Sequence, residues 1–192
     1  MSQAIAEKSA TLANLLAAYE GESNARAKYD FFAAKADAEG WLGAASLFRA
    51  AARAEQIHAA NHARVIRQLG GEAHCEIYAV EVTSTLANLK AALAGEQYEV
   101  DTMYPGYIAE ASGSDVALAK RTFTWAMEAE KTHAQLFQEA IDIVELRIKE
   151  SWVGLPCAFY VCAACGYTSR TREEHARCPV CNLAYDKFEV IR

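Results

Sequence analysis

The sequence predicts an all-α four-helix bundle followed by a small metal-binding domain. Apolar residues recur every three or four positions through long alanine-rich stretches, as in helices that bury one face in a core. Only three prolines occur in 192 residues, and the apolar content of 53% is ample for such a core. Two Cys-x-x-Cys pairs near the C-terminus mark the second domain. We predict domains over 1–150 and 158–192, joined by a linker at 151–157.

Apolar periodicity and turn residues place four helical segments in the first domain. Gly40 ends the first segment, and Gly70 with Gly71 ends the second. Pro105 predicts that the third segment is kinked or interrupted near Met103, because proline lacks the amide hydrogen that a helix needs. The predicted segments are 9–38, 41–69, 81–112 and 115–149.

The connections between the segments predict the topology of the bundle. Short turns join the first helix to the second and the third to the fourth, so each pair should form an antiparallel hairpin. The connection between the hairpins, about 72–80, is longer and can travel about 35 Å when extended, roughly the length of a helix of this size. We therefore predict a long crossover that leaves the second and third helices parallel.

Two Glu-x-x-His motifs, Glu55–His58 and Glu130–His133, lie in the second and fourth helices. Positions i and i+3 of a helix point in similar directions, so each motif presents a carboxylate and an imidazole together. A lone glutamate precedes each motif, Glu22 by 33 residues and Glu96 by 34, so the two hairpins resemble a diverged repeat. This set matches the ligands of di-iron carboxylate bundles.

The helical register selects among neighbouring acidic residues. Glu22 lies on the apolar stripe of the first helix, whereas Glu20 lies about 200° around the helix and should face solvent. Glu99, three residues after Glu96, adds one carboxylate beyond the lone glutamate and Glu-x-x-His motif that each hairpin supplies. Burying five carboxylates together is costly unless cations compensate them, and mixed carboxylate and imidazole ligands suit iron or manganese.

The cysteine motifs read Tyr160-x-Cys162-x2-Cys165-Gly166-Tyr167 and Cys178-Pro179-x-Cys181. Four thiolates at this spacing can hold one metal ion, and a tail of about 35 residues needs such an ion in order to fold. The spacing alone fits zinc or iron. The neighbouring residues resemble the two knuckles of rubredoxin, an electron carrier with one iron held by four thiolates.

With both sites located, the whole chain resembles rubrerythrin, a ferritin-like di-iron domain followed by a rubredoxin-like domain, and 21–26 is similar to the family's first-helix motif. The resemblance implies that His58 replaces Glu99 at one iron on reduction. Tyr29 and Tyr104 match tyrosines that hydrogen-bond near the site. Asn182 is a departure, because rubredoxins usually have glycine there, but asparagine tolerates left-handed backbone and the knuckle should be intact. The implied ligands are Glu22, Glu55, Glu99 and Glu130 for one iron, Glu55, Glu96, Glu130 and His133 for the other, and Cys162, Cys165, Cys178 and Cys181 for the third.

The implied function is reduction of hydrogen peroxide to water in defence against oxidative stress. Electrons reach the O–O bond from the reduced iron pair, and the iron–thiolate centre returns them from a donor such as a rubredoxin or an NAD(P)H-dependent reductase. The family commonly pairs subunits head to tail. The short linker agrees, because 150–158 would have to wrap half the bundle to reach its own site. We therefore expect a head-to-tail homodimer.

Two other functions fit parts of the sequence. A ferroxidase or iron-storage protein would share the bundle and most of the ligands, although storage needs no C-terminal electron carrier. A non-enzymatic binding module would instead hold zinc in the four cysteines.

Charge and hydropathy exclude further classes. The net charge of −6 without a Lys/Arg cluster argues against nucleic acid as a partner. The polar N-terminus, without a signal peptide, and the lack of any 18-residue apolar run predict a cytoplasmic protein with no membrane contact. His62 is expected to pack or hydrogen-bond beside the site. The roles of Cys75 and Cys157 are left open.

Overall fold

The structure is a computed structural model that describes residues 2–111, 117–146, 157–171 and 177–192. The helices are α1 (Ser2–Ala38), α2 (Leu42–Gln68), α3 (Thr85–Tyr98), α4 (Tyr104–Glu110) and α5 (Ala117–Glu145), with a π-helical turn at Glu99–Met103. The strands are β1 (Phe159–Cys162), β2 (Thr168–Ser169) and β3 (Phe188–Ile191). The predicted fold class, a helical bundle with a small ribbon-like domain, is confirmed.

α1 and α2 form one hairpin of the bundle, and α3 and α5 pack together as the second. α1 begins at Ser2 rather than at residue 9 as predicted, because the polar N-terminal segment is rich in good helix formers. Gly40 and Gly70 end α1 and α2 with φ values of +81° and +84°, left-handed conformations that favour glycine. The predicted boundaries at 112, 115 and 149 lie outside the described residues.

The third predicted helix is interrupted just before Pro105, as the sequence predicted. α3 begins at Thr85, four residues later than predicted, with the Ser84 hydroxyl accepting a hydrogen bond from the Ala87 amide at 3.3 Å. The π turn over Glu99–Met103 lies just before Pro105, so the predicted interruption near Met103 is confirmed. Because a π turn holds about one residue more than an α turn, it brings the Tyr104 side chain back to the inner face of the bundle.

The crossover between the hairpins has no helix or strand between Leu69 and Ser84, and it is tied to α1 by side-chain hydrogen bonds. The Asn24 amide donates to the Glu76 carbonyl at 2.9 Å and accepts from the Tyr78 amide at 2.8 Å. The predicted long crossover is confirmed.

Two apolar clusters fill the bundle and leave its middle to the predicted metal ligands. One contains Tyr29, Phe48 and Phe137. The other contains Leu15, Ile66 and Phe123. On each of α1, α2 and α5, the predicted ligands lie between residues that belong to the first cluster and residues that belong to the second. None of the helices in the described part of the chain is long and apolar enough to cross a membrane.

The C-terminal domain is a three-stranded antiparallel sheet in the order β2-β1-β3, and it rests on α2 and α5 of its own bundle. The Arg53 guanidinium makes two hydrogen bonds to Glu189 in β3, at 2.6 and 2.7 Å. Arg170 reaches Glu139 at 3.2 Å. The domain thus contacts its own bundle, and the expected head-to-tail pairing of subunits stays a prediction. The linker lies almost wholly outside the described residues, and the predicted domain boundaries stay predictions.

Candidate metal centre

Six of the seven predicted ligands of the bundle converge at its centre, and each is at most 1% exposed. One group of ligand atoms comes from Glu22, Glu55, His58 and Glu130, and a second comes from Glu55, Glu96, Glu130 and His133. Within each group, these atoms lie within 4.8 Å of one another. Glu55 and Glu130 belong to both groups, which is where two carboxylates would bridge a pair of ions.

The helical spacing of the two Glu-x-x-His motifs aims each imidazole at the same point. His58 Nδ1 lies 2.9 Å from Glu55 Oε2, its partner one turn earlier. His133 Nδ1 lies 2.6 Å from Glu130 Oε2 in the same relation. His58 Nδ1 also lies 2.8 Å from Glu130 Oε1, so the motif of α2 meets the motif of α5. The two helices thus bring their ligands into one cluster.

Several buried ligand atoms of this cluster approach others closely, as His133 Nδ1 approaches Glu130 Oε2, but not in a direction that makes a hydrogen bond. They are Glu22 Oε2, Glu55 Oε1, Glu96 Oε2, both carboxylate oxygens of Glu130, and His133 Nδ1. Burying such atoms unpartnered is costly, and a cation among them removes that cost. Carboxylate and imidazole donors in this number suit iron, so the residues present fit a di-iron site.

Glu99 is the one predicted ligand that the structure leaves outside both groups. It lies at the start of the π turn and is half-buried. Burial raises its pKa well above the ordinary value, and the charges of Glu22 and Glu96 raise it further. His58 stands in the first group, whereas the family resemblance implies that both residues serve that iron in alternation.

The cluster carboxylates differ in how readily they ionise. Burial, with the negative charges of Glu130 and Glu22, raises the pKa of Glu55 well above its ordinary value. Burial also raises the pKa of Glu130. At Glu22 burial is outweighed by the His58 charge, which holds the pKa well below its usual range. The charges of Glu130 and Glu22 raise the pKa of His58 in spite of its burial. Cations bound here would compete with the protons that these groups share.

Both predicted tyrosines hold cluster carboxylates. The Tyr29 hydroxyl donates a hydrogen bond to Glu96 Oε1 at 2.6 Å. The Tyr104 hydroxyl donates to Glu22 Oε1. Although burial opposes it, the approach of His133 lowers the pKa of Glu96, so this carboxylate accepts the Tyr29 hydrogen bond as an anion. Each tyrosine therefore fixes one of the two lone glutamates.

His62 continues this network away from the cluster. Its Nε2 lies 3.1 Å from the Tyr104 hydroxyl, and its Nδ1 lies 3.1 Å from the Thr122 hydroxyl. Because Tyr104 donates its own hydrogen to Glu22, His62 donates from Nε2 and accepts from Thr122 at Nδ1. Burial lowers the pKa of His62, in keeping with this neutral form. His62 thus hydrogen-bonds beside the site, as the sequence led us to expect.

Sequence reasoning missed Thr122. The signal was a polar residue on the inward stripe of α5, where Thr122, Ala126 and Glu130 follow one another at intervals of four. The stripe predicts burial, and a buried hydroxyl requires a partner. That partner is His62, which the sequence had placed only approximately.

The four predicted cysteines converge at one end of the small sheet. Cys162 Sγ lies 3.4 Å from Cys181 Sγ, and Cys165 Sγ lies 3.6 Å from Cys178 Sγ. Hydrogen bonds from the Cys162 and Cys165 thiols lower the pKa of Cys178 to about 2. A sulfur that ionises so readily, with three others beside it, fits a metal ion held by four thiolates.

The two cysteine knuckles have matching backbones. The Gly166 amide donates to the Cys162 carbonyl at 2.9 Å, and the Asn182 amide donates to the Cys178 carbonyl at 3.0 Å. Gly166 has a φ of +80° and Asn182 a φ of +64°. Asparagine therefore adopts the left-handed conformation that glycine adopts in the first knuckle, and the second knuckle is intact, as predicted.

The first knuckle sits directly on the histidines of the bundle. His58 Nε2 lies 3.0 Å from the Cys165 carbonyl oxygen, and His133 Nε2 lies 3.1 Å from the Thr168 hydroxyl. The Asn61 amide donates to the Ala164 carbonyl at 2.8 Å. Both imidazoles thus present Nδ1 to the carboxylates and Nε2 to the four-cysteine domain. The two candidate metal sites are joined through single side chains.

Comparison with known proteins gives a consistent result over nearly the whole chain. Residues 13–141 match the sequence model of the rubrerythrin family. Rubrerythrin-2 of Clostridium acetobutylicum is 36% identical over 184 residues, which cover 95% of this chain and 97% of that protein. Nigerythrin of Nitratidesulfovibrio vulgaris is 34% identical over 179 residues, which cover 93% of this chain and 85% of that protein.

Solved structures show the same likeness. The fully reduced, all-ferrous state of nigerythrin superposes with a TM-score of 0.82 at 33% identity, covering 94% of this chain and 86% of that one. A bacterioferritin of Desulfovibrio desulfuricans superposes with a TM-score of 0.71 at 18% identity, covering 86% and 95%. The second likeness concerns the fold alone, and it confirms the predicted ferritin-like bundle.

Proposed function

Because the chain belongs to the rubrerythrin family of di-iron proteins, which has a general role in oxidative stress, we propose that it is a non-haem di-iron peroxidase that reduces hydrogen peroxide to water. When iron is bound and reduced, the pair in the carboxylate cluster would supply two electrons to the O–O bond, and iron held by the four cysteines would replace them. The observation that supports this proposal most strongly is the contact between His58 and the Cys165 carbonyl. It connects the electron-carrying domain to the carboxylate cluster through one side chain.

The protein groups have distinct tasks in this proposal. Glu55 and Glu130 lie in both ligand groups and would hold the two ions at a fixed separation. Tyr29 and Tyr104 hold the carboxylates of Glu96 and Glu22 in place. These hydrogen bonds keep the unshared ligands oriented during turnover.

Glu99 has the properties of a proton carrier in the same reaction. Burial and neighbouring carboxylates raise its pKa, and it is less buried than the other acids of the cluster. A carboxyl group with a raised pKa that remains within reach of water can give its proton to a leaving oxygen and regain it from solvent. Glu99 would therefore serve the peroxide oxygens in the state in which His58 occupies the first ligand group.

We also propose the partners that the sequence led us to expect. The electron donor would be a rubredoxin or an NAD(P)H-dependent reductase that reaches the four-cysteine domain. A head-to-tail homodimer would place that domain on a partner's bundle, through the same kind of contacts that it makes here with its own.

A ferroxidase or storage role accounts for less of the molecule. It would use the carboxylate cluster, but it would leave the seating of the four-cysteine domain on both histidines without a purpose. A zinc-binding module would account for the cysteines and leave the unpartnered carboxylates at the bundle centre unexplained. Peroxide reduction uses both sites and the contact between them.

The proposal can be tested on the isolated full-length protein. Metal analysis should find iron in both sites, and the four-thiolate site should absorb strongly in the visible range, where zinc is colourless. Anaerobic reduction followed by titration with hydrogen peroxide should consume one equivalent for the two electrons of each iron pair, with a further half equivalent for the single electron of the four-cysteine iron, and release no dioxygen. Reduced protein that leaves the peroxide intact would overturn the proposal.

A further inference from the structure

A cavity of about 510 Å³ opens between α1, the crossover and the region where α3 passes into the π turn. Its lining includes Gly21 and Phe32 of α1, Val80 of the crossover, and Glu99 of the π turn. The cavity therefore reaches from the surface to a predicted metal ligand.

Glu99 is the point at which this cavity meets the carboxylate cluster. Glu22, Glu55, Glu96 and Glu130 each expose 1% or less of their surface. Glu99 is half-buried and lines the cavity. A small molecule that enters between α1 and the crossover would thus encounter Glu99 before any other acid of the cluster.

We propose that this cavity is the access route and binding site of the hydroperoxide substrate, and that it accepts small organic hydroperoxides as well as hydrogen peroxide. The inference rests on the proposed peroxidase function. Cavities of about 300–1,000 Å³ ordinarily hold organic ligands. Hydrogen peroxide is little larger than water, which occupies about 30 Å³ in the liquid, and would fill only a small part of this space.

The lining of the cavity suits a molecule with one apolar and one polar end. Ala25 and Val80 offer partly exposed apolar surface to an alkyl group, whereas Phe32 is 2% exposed and contributes little. The hydroperoxide end would then lie towards Glu99. Lys28 also lines the cavity, with its ammonium group 5.2 Å from the centre of the Tyr29 ring, and can donate a hydrogen bond to an oxygen of the substrate.

The reaction is the same as that proposed for hydrogen peroxide. The organic hydroperoxide takes up two electrons and two protons, its O–O bond breaks, and an alcohol and water are formed. The iron pair that the cluster would hold would supply the two electrons when reduced, and solvent would supply the two protons by way of Glu99. The alkyl group takes no part in the chemistry and serves only in binding.

Gly21 is a residue of the cavity lining with open space beside it. A Cβ atom at this position would have no heavy atom within 4 Å, so a larger side chain could extend into the cavity without a clash. Glycine inside a helix costs about 1 kcal/mol relative to alanine, so the helix itself gains nothing from it. Gly106 in α4 is a matched control, because an added Cβ there also meets no atom within 4 Å and Gly106 does not line the cavity.

The test compares Gly21→Leu with Gly106→Leu in the full-length iron-loaded protein. The wild type and Gly106→Leu should reduce hydrogen peroxide and tert-butyl hydroperoxide. Gly21→Leu should lose about tenfold or more in kcat/KM for tert-butyl hydroperoxide and less for hydrogen peroxide, as expected for a filled pocket. Crystals soaked in tert-butyl alcohol should show density beside Ala25 and Val80 in the wild type and in Gly106→Leu, but not in Gly21→Leu.

The outcomes separate this inference from the proposed function. Wild-type protein that reduces hydrogen peroxide but not tert-butyl hydroperoxide would overturn the inference. So would Gly21→Leu protein with unchanged kinetics for both substrates, or tert-butyl alcohol bound elsewhere. Wild-type protein inactive towards hydrogen peroxide would instead overturn the proposed function, and the soaked crystals would then decide whether the cavity binds the alcohol.

Discussion

His58 Nε2 lies 3.0 Å from the carbonyl oxygen of Cys165, while Nδ1 of the same ring lies 2.9 Å from a carboxylate oxygen of Glu55. A single imidazole therefore touches both candidate metal sites. The contact involves the backbone of a cysteine knuckle rather than a long side chain, so it leaves little freedom in how the two domains sit. Small changes in the position of that knuckle should consequently shift His58 and so alter the carboxylate cluster.

Gly166→Ala tests this contact. An added Cβ at Gly166 would lie 2.2 Å from His58 Nε2, and the residue has a φ of +80° that disfavours alanine. We expect the first knuckle to move away from α2, which would slow reoxidation of the four-cysteine iron after a pulse of peroxide. Stopped-flow measurement of the visible absorption of that iron would follow the transfer.

Gly40→Ala is the matched control for this variant. Gly40 has a φ of +81°, and an added Cβ there would meet no heavy atom within 4 Å. Both variants should lose about 1–2 kcal/mol of stability through the left-handed backbone alone. Only Gly166→Ala should slow electron transfer, and equal rates in the two variants would mean that the His58 contact is not the route.

Cys178→Ser should abolish donor-driven turnover and leave the bundle folded. Cys178 belongs to the four-cysteine group, so serine removes one of the four sulfurs that would hold the iron. The reduced bundle should still react once with peroxide, because its own ligands are unchanged. Steady-state turnover and a single-turnover reaction on the same preparation measure the two effects.

Cys75→Ser is the control for the loss of a thiol. Cys75 is half-buried on the crossover and lies outside the four-cysteine group. It should turn over at the rate of the wild type. Native turnover of Cys178→Ser with the same donor would show that the four-cysteine domain does not supply electrons.

Glu22→Ala should lower the iron affinity of the bundle by about tenfold or more, with a matching loss of peroxidase activity. Glu22 is fully buried and belongs to the first ligand group. Glu20→Ala should leave both unchanged, because the Glu20 carboxylate lies outside the cluster and accepts a hydrogen bond from Tyr78. Iron titration monitored by absorption would compare them, and similar losses in the two variants would contradict the helical register.

The sequence was sufficient to predict the bundle and the residues at its centre. The apolar stripes of α1, α2 and α5 pass through Glu22, Glu55 and Glu130. In a regular helix, residues at this spacing lie on one face, so the pattern determines which side chains point inward. Pro105 likewise predicted the interruption of the third helix, since the missing amide hydrogen acts locally.

The arrangement of the domains and the finer contacts could not be predicted in the same way. Linker length limits how far a domain can travel but does not select its docking face, which depends on pairs such as Arg53 with Glu189. The position of Glu99 outside both ligand groups depends on the π turn. Periodicity based on an α-helix does not describe that turn.

Removal of iron should lower the stability of the bundle at neutral pH, and moderate acidification should restore part of it. Glu55, Glu99 and Glu130 have a pKa raised by burial and by neighbouring charges above the ordinary value of 4.5. Their ionised forms destabilise the fold, and this penalty is relieved as the pH falls through each raised pKa. His58 acts in the same direction, because its raised pKa gives stability that is lost as the pH rises through that value.

Other groups set the acid limit of this recovery. Glu22 and Glu96 have a lowered pKa and give stability that is present above 4.5 and lost as the pH falls through their folded values. The lowered pKa of His62 also opposes acidification, because the unfolded chain takes up its proton near the ordinary value of 6.5. Within the described metal site above pH 5, three carboxyl groups and His58 have a raised pKa and His62 alone opposes them. The iron-free protein should therefore gain stability on acidification from about pH 8 to 5. It should lose stability in stronger acid.

The iron-loaded protein should show the opposite trend over the same range, because protons compete with iron for the carboxylate oxygens and imidazole nitrogens. Thermal melts of both forms between about pH 5 and 8 would measure the difference. If the iron-free protein instead loses stability steadily on acidification across this range, these carboxylates do not repel one another in the core. The di-iron assignment would then lose its electrostatic basis, since a cluster that is stable without cations has no need of them.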